Sequence, residues 1–104
     1  MTRFLPETRE GIDVRTRKDT KEPPMFRVLL HNDDYTTMEF VVRILMLVFH
    51  KPVEEATRIM LNVHHKGVGT CGVFTHQVAE TKVDTVTRLA RESGHPLKCT
   101  MEKV

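Results

Sequence analysis

A chain of 104 residues with 39% apolar side chains has room for one compact domain and an extension, and its formal charge of +2, from 16 basic and 14 acidic residues, lacks the basic excess of a nucleic-acid binder. Two cysteines, Cys71 and Cys99, are too few for a disulfide framework and are expected as reduced, partly buried thiols of a cytoplasmic protein. The first residues hold no continuous apolar run for a signal peptide, the acids Glu7, Glu10, Asp13, Asp19 and Glu22 argue against a transit peptide, and the apolar stretch from Phe40 to Phe49, broken by Arg43, is too short to span a bilayer.

Residues 1–24 are polar and charge-alternating, with few sizeable apolar side chains. Such a segment cannot bury enough surface to offset its ordering entropy, so it reads as a flexible N-terminal extension that ends at Pro23-Pro24. Residues 25–104 read as the core domain. Phe26, Val28 and Leu30 alternate with Arg27 and His31, which predicts a strand. Asn32-Asp33-Asp34 break it. Thr36 to His50 reads as a helix, with Thr36 and Glu39 as a capping box. It is apolar on two sides: Phe40, Ile44, Leu47 and Val48 on one, Met38, Val41, Val42, Leu45 and Phe49 on the other. One side suits a sheet, and the other must find a second helix or remain an exposed patch.

Val53 to Lys66 is the second predicted helix, stopped by Gly67, with Ala56, Met60, Val63 and His64 inward and Glu55, Arg58, Asn62 and His65 outward. Gly69 to Thr75 reads as a strand. His76 to Ser93 reads as a third helix with Val78, Ala79, Val83, Val86, Leu89 and Ala90 inward, stopped by Gly94 and Pro96. Leu97 to Val104 is a last strand. The expected fold is a single α+β domain, β-α-α-β-α-β, with a three-stranded antiparallel sheet and helices packed on one face.

Asn32-Asp33-Asp34 suits a turn and a helix start, and equally an acceptor cluster for a cation, since an apolar helix face begins directly after it. His64 is inward by periodicity, which more often marks a satisfied core residue than a functional one. No two His or Cys show zinc spacing, and no glycine loop suits a phosphate, so neither metal nor cofactor is expected. A Cys71, His64 and Asp33 or Asp34 trio could be drawn for a thiol hydrolase, but no activating motif accompanies it.

The runs "HNDDYTTMEFVVRIL", "ATRIMLNVHHKGVGTCGVFT" and "VAETK" and the ending "HPLKCTMEK" together resemble the ClpS adaptor family, in colinear order over residues 23–104. Thr37 stands where many members carry proline, and Gln77 where some carry an acid. The resemblance implies a non-enzymatic, bacterial, cytoplasmic and monomeric adaptor without a catalytic residue. It would bind proteins through bulky N-terminal residues (Leu, Phe, Tyr, Trp) and deliver them to the N-terminal domain of a ClpA-like unfoldase, with neither nucleic acid nor membrane as partner. It implies that Asn32, Asp33 and His64 hold the α-amino group and first peptide unit, and that Asp34 and Thr36 shape the loop. Met38, Val41, Val63 and Leu97 would line the side-chain pocket, with Met38 excluding β-branched residues. The start of the third helix, around Glu80 and Lys82, would dock on the unfoldase. The alternative is an interaction domain of ribosomal-stalk-like fold without a peptide pocket.

Overall fold

A computed structural model describes residues 22–104, so the extension expected over 1–24 lies almost wholly outside the described residues. The chain forms β1 (Met25–His31), α1 (Met38–Leu47), α2 (Val53–Lys66), β2 (Val68–Thr75), α3 (His76–Glu92) and β3 (Lys98–Lys103), in the expected order. Among the described residues three strands make one antiparallel sheet, β2-β1-β3, with Met25–His31 in the middle. Alternation along β1 turns Val28 and Leu30 to the helix side, where both have no exposed surface. On the other face Arg27 pairs with Glu102 at 2.8 Å and His31 Nε2 lies 2.7 Å from Thr100 Oγ1.

Val28 is paired with Gly72 but Leu29 with Thr70, which leaves Cys71 as an extra residue in β2. The bulge lets β2 keep Gly69 and Cys71 buried without a slip of the whole register. Gly69 is required there: a Cβ would stand 2.7 Å from Val63 Cγ2 and 3.3 Å from the Ile59 carbonyl. The bare backbone at Gly69 therefore lets α2 settle close against β2. Gly67, at φ +88°, ends α2 in the left-handed region and donates to the Val63 carbonyl at 2.9 Å. Both α2 and α3 lie on the sheet, and α1 lies on α2.

The helix predicted over 36–50 is shorter at both ends. Its cap is Thr37, whose Oγ1 accepts from the Phe40 amide at 3.1 Å, and not Thr36 with Glu39. Thr36 is unavailable because its hydroxyl and amide both donate to Asp33. Capping by a hydroxyl needs no proline ahead of the first turn. At the other end Val48 closes the helix and His50 takes a left-handed φ of 57°, so neither Phe49 nor His50 continues it. Phe40, Val41, Ile44, Leu45 and Val48 form the buried stripe. Leu47, expected inward, is 62% exposed, because the two expected sides merge into one stripe that leaves it out. Val78, also expected inward, is exposed: it lies about 100° around α3 from Ala79, outside the stripe that Ala79, Val86 and Ala90 bury. α3 ends with His95 donating to the Ala90 carbonyl (2.8 Å) and Gly94 to Arg91 (3.1 Å), paired bonds that the left-handed Gly94 makes possible.

Candidate functional site

Between β1 and α1 the chain must turn with polar residues only, and Asp33 organises the turn. Its Oδ1 accepts the amides of Tyr35 (2.8 Å) and Thr36 (2.7 Å), and its Oδ2 accepts the Thr36 hydroxyl at 2.7 Å. A carboxylate has about four lone-pair positions. Three are filled inside the loop, and one on Oδ2 is left for an incoming donor. Partial burial alone would raise the Asp33 pKa, but the Thr36 hydroxyl, the Thr36 and Tyr35 amides and the neighbouring His95 outweigh it and hold the carboxyl below its ordinary value. Asp33 therefore stays anionic with a free acceptor position. The Asn32 amide donates to the Gly67 carbonyl at 2.9 Å, which ties the loop to the end of α2 beside His64.

Beside this tie lies a cavity of about 230 Å³ lined by Asn32, Asp33, Asp34 and Thr36 of the loop, Met38 and Val41 of α1, and Met60, Val63 and His64 of α2. It is smaller than the roughly 300–1,000 Å³ of sites for drug-sized ligands, a volume suited to one side chain. Its lining carries acceptors on Asn32, Asp33, Asp34 and His64. The rest of the lining is thioether and valine, from Met38, Val41, Met60 and Val63. A small ligand with a cation at one end and an apolar body at the other matches both.

Eight of the nine residues expected to bind cargo line this cavity. The ninth, Leu97, is 1% exposed and does not. It shares the parity of Cys99 and Met101, the core side of β3, so the strand period carries it into the core. His64 is exposed and not inward: the inward side of α2 is Ala56, Ile59, Met60 and Val63, and His64 stands at its margin. Its ring does not point away from that of His65; the two meet edge to face with centroids 5.2 Å apart. Met60, which its periodicity turns inward, also lines the cavity. Its spacing of three and four from Val63 and His64 is the signal that could have assigned it.

Glu80 is exposed on α3, whereas the Lys82 ammonium donates to the Val48 carbonyl at 2.8 Å and lies 5.7 and 5.3 Å from the Phe49 and Phe74 ring centroids. The thiol trio does not assemble as a nucleophile. Cys71 is 1% exposed, and burial with Cys99 nearby raises its pKa; burial pushes the Cys99 thiol up to about 12. Among the described residues no group of three His, Cys, Asp or Glu is placed to hold a metal ion, and no helix is long and apolar enough to cross a membrane.

Residues 21–100 match the family model described as ATP-dependent Clp protease adaptor protein ClpS. A ClpS adapter protein of Nitratidesulfovibrio vulgaris is 58% identical over 100 residues, covering 96% of this chain and 100% of that one. One from Desulfatibacillum aliphaticivorans is 60% identical over 100 residues, covering 93% and 96%. Among solved structures, Agrobacterium tumefaciens ClpS2 bound to L-phenylalaninamide is 37% identical and superposes with a TM-score of 0.78 over 80% of this chain and 100% of that one.

Proposed function

The chain belongs to the ClpS family of ATP-dependent Clp protease adaptor proteins, and we propose that it serves as an adaptor by capturing the first residue of a cargo protein in the cavity between the β1–α1 loop and α2. The observation that carries this reading is a cavity the size of one side chain whose lining combines acceptors with apolar side chains. An α-ammonium has only donors, so it needs acceptors. The Asn32 carbonyl, the spare Asp33 position and the His64 ring nitrogen supply them. Asp34 and Thr36 shape the loop. Met38, Val41, Met60 and Val63 receive a bulky apolar side chain such as Leu, Phe, Tyr or Trp, with Met38 at the mouth excluding β-branched ones, and Leu97 supports these walls from the core. L-phenylalaninamide, the ligand in the Agrobacterium structure, combines an amino end with an apolar body. The relatives lend no support to an interaction domain without a pocket.

In this reading the protein does no chemistry on its cargo. A core over 25–104 binds, and the extension over 1–24 serves delivery. The start of α3 docks on the N-terminal domain of a ClpA-like unfoldase, with Glu80 as the free charge and Lys82 holding the surface in place. The adaptor acts as a cytoplasmic monomer. Titration with two peptides that begin with Leu and differ only in a free or an acetylated N-terminus tests the capture mechanism. The free amine should bind and the acetylated one should not; equal binding would sink it.

A further inference from the structure

Beyond the cavity, the α1–α2 pair carries an apolar surface that the core does not use. Met38, Val42 and Met46 stand four apart on α1 and so form one row, as do Val53, Thr57 and Leu61 on α2. Four of the six are more than two-fifths exposed: Met38 43%, Met46 41%, Val53 49% and Leu61 41%. Val42 packs on the core with part of its side chain outside. The Thr57 hydroxyl is spent on the Val53 carbonyl at 2.8 Å, so Thr57 offers mainly its methyl group. The helices lie side by side and are joined by the short turn from Val48 to Pro52, which brings Met46 to the Val53 end and Met38 to the Leu61 end. At that second end both helices already share the cavity, whose wall includes Met38. The two rows are therefore the banks of one seam that starts at the cavity mouth.

We propose that the cargo residues following the first lie along this seam, so that the adaptor reads a short apolar segment and not the terminal residue alone. The reading rests on the cavity being the first-residue pocket. From Met38 to Met46 an α-helix rises about 12 Å. An extended chain at roughly 3.3 Å per residue covers that length in about four residues. A second copy of this chain fits poorly, because a stable interface needs roughly 800 Å² from each partner and a strip this narrow cannot supply it. Methionines at both ends of the α1 row suit a run of differing apolar residues, since their unbranched chains repack at little cost.

The test uses the full chain and three ligands: leucinamide, a peptide of Leu-Gly followed by Val-Leu-Val, and one of Leu-Gly followed by three serines. Binding is read by competition against a labelled peptide. The apolar peptide should bind roughly tenfold tighter than the serine peptide. Met46→Ser and Leu61→Ser should each remove most of that gain and leave leucinamide affinity unchanged; both side chains are exposed, so neither change threatens folding. Equal affinity of the two peptides in the parent, with leucinamide bound, overturns the seam while leaving the first-residue pocket standing. Failure of leucinamide to compete overturns the pocket itself. A dimer in sedimentation that Met46→Ser dissolves assigns the seam to a second copy and likewise overturns the proposal.

Discussion

At its N-terminus α1 is fixed by residues within a few positions of one another: Asp33 gathers Tyr35 and Thr36, and Thr37 caps the Phe40 amide. At its C-terminus the helix depends on Lys82, 34 positions along, whose ammonium reaches the Val48 carbonyl over the rings of Phe49 and Phe74. Apart from the tie of Asn32 to Gly67, the first end is built from local hydrogen bonds, and it leaves Asn32, Asp34 and Met38 exposed. The second is built from a long-range contact and buries Val48 and Phe49. A binding loop needs open polar groups held in one geometry, and local bonds supply the geometry without the burial. The anchored end has no such demand, so burial and a helix-terminal cation hold it.

Asp33→Ala should separate the two ends most widely. It removes the acceptor for three loop hydrogen bonds and the fourth position proposed for cargo. Affinity for a Leu-initiated peptide should fall roughly a hundredfold, with little change in the urea midpoint. An unchanged affinity would show that the loop does not depend on Asp33. Acid offers the same test without mutation. The folded-state pKa of Asp33 is lowered from 3.8, so its contribution is complete above that value and is lost as pH falls through the lower one. The Tyr35 and Thr36 amide resonances should hold their positions at about pH 5 and shift only below about pH 4.

Gly69→Ala tests whether the cavity wall depends on the backbone of β2. The added methyl meets Val63 Cγ2 at 2.7 Å and must displace a stiff, buried side chain. A loss of about 1–3 kcal/mol in urea unfolding is expected, together with weaker peptide binding, because Val63 lines the cavity. Lys82→Met keeps the aliphatic stem and removes the ammonium. It should cost about 1 kcal/mol and leave peptide affinity unchanged, and a loss of affinity would mean the anchored end does reach the site. The smallest effect belongs to His50, whose φ of 57° strains any residue with a Cβ. His50→Gly should raise stability by about 0.5 kcal/mol, the relief of strain being partly offset by the flexibility of glycine in the unfolded chain.

Much of the fold was legible because it rests on periodicity and on stop residues. The alternation at Phe26, Val28 and Leu30, the left-handed Gly67 and Gly94, and the polar break at Asn32-Asp33-Asp34 each act within a few positions. The sequence pattern does not tell a cap at Thr36 from one at Thr37, because two adjacent hydroxyls are equivalent in it. What separates them is that Asp33 takes one of them. The candidate site was legible as residue types, since acceptors followed by an apolar helix start are contiguous. The part of its wall that Met60 forms was not, because Met60 and a buried core residue look alike until α1 is placed beside α2.

The sequence by itself determined the order of the elements, the polar composition of the β1–α1 loop and the family signatures, because propensity, capping chemistry and alternation act between near neighbours. The sheet order with β1 at the centre, the bulge at Cys71, the exposed position of His64 and the capture of the Lys82 ammonium by Val48 came only with the packed chain. Each joins elements far apart in sequence, where neighbouring side chains compete for the same space and the better-buried arrangement wins.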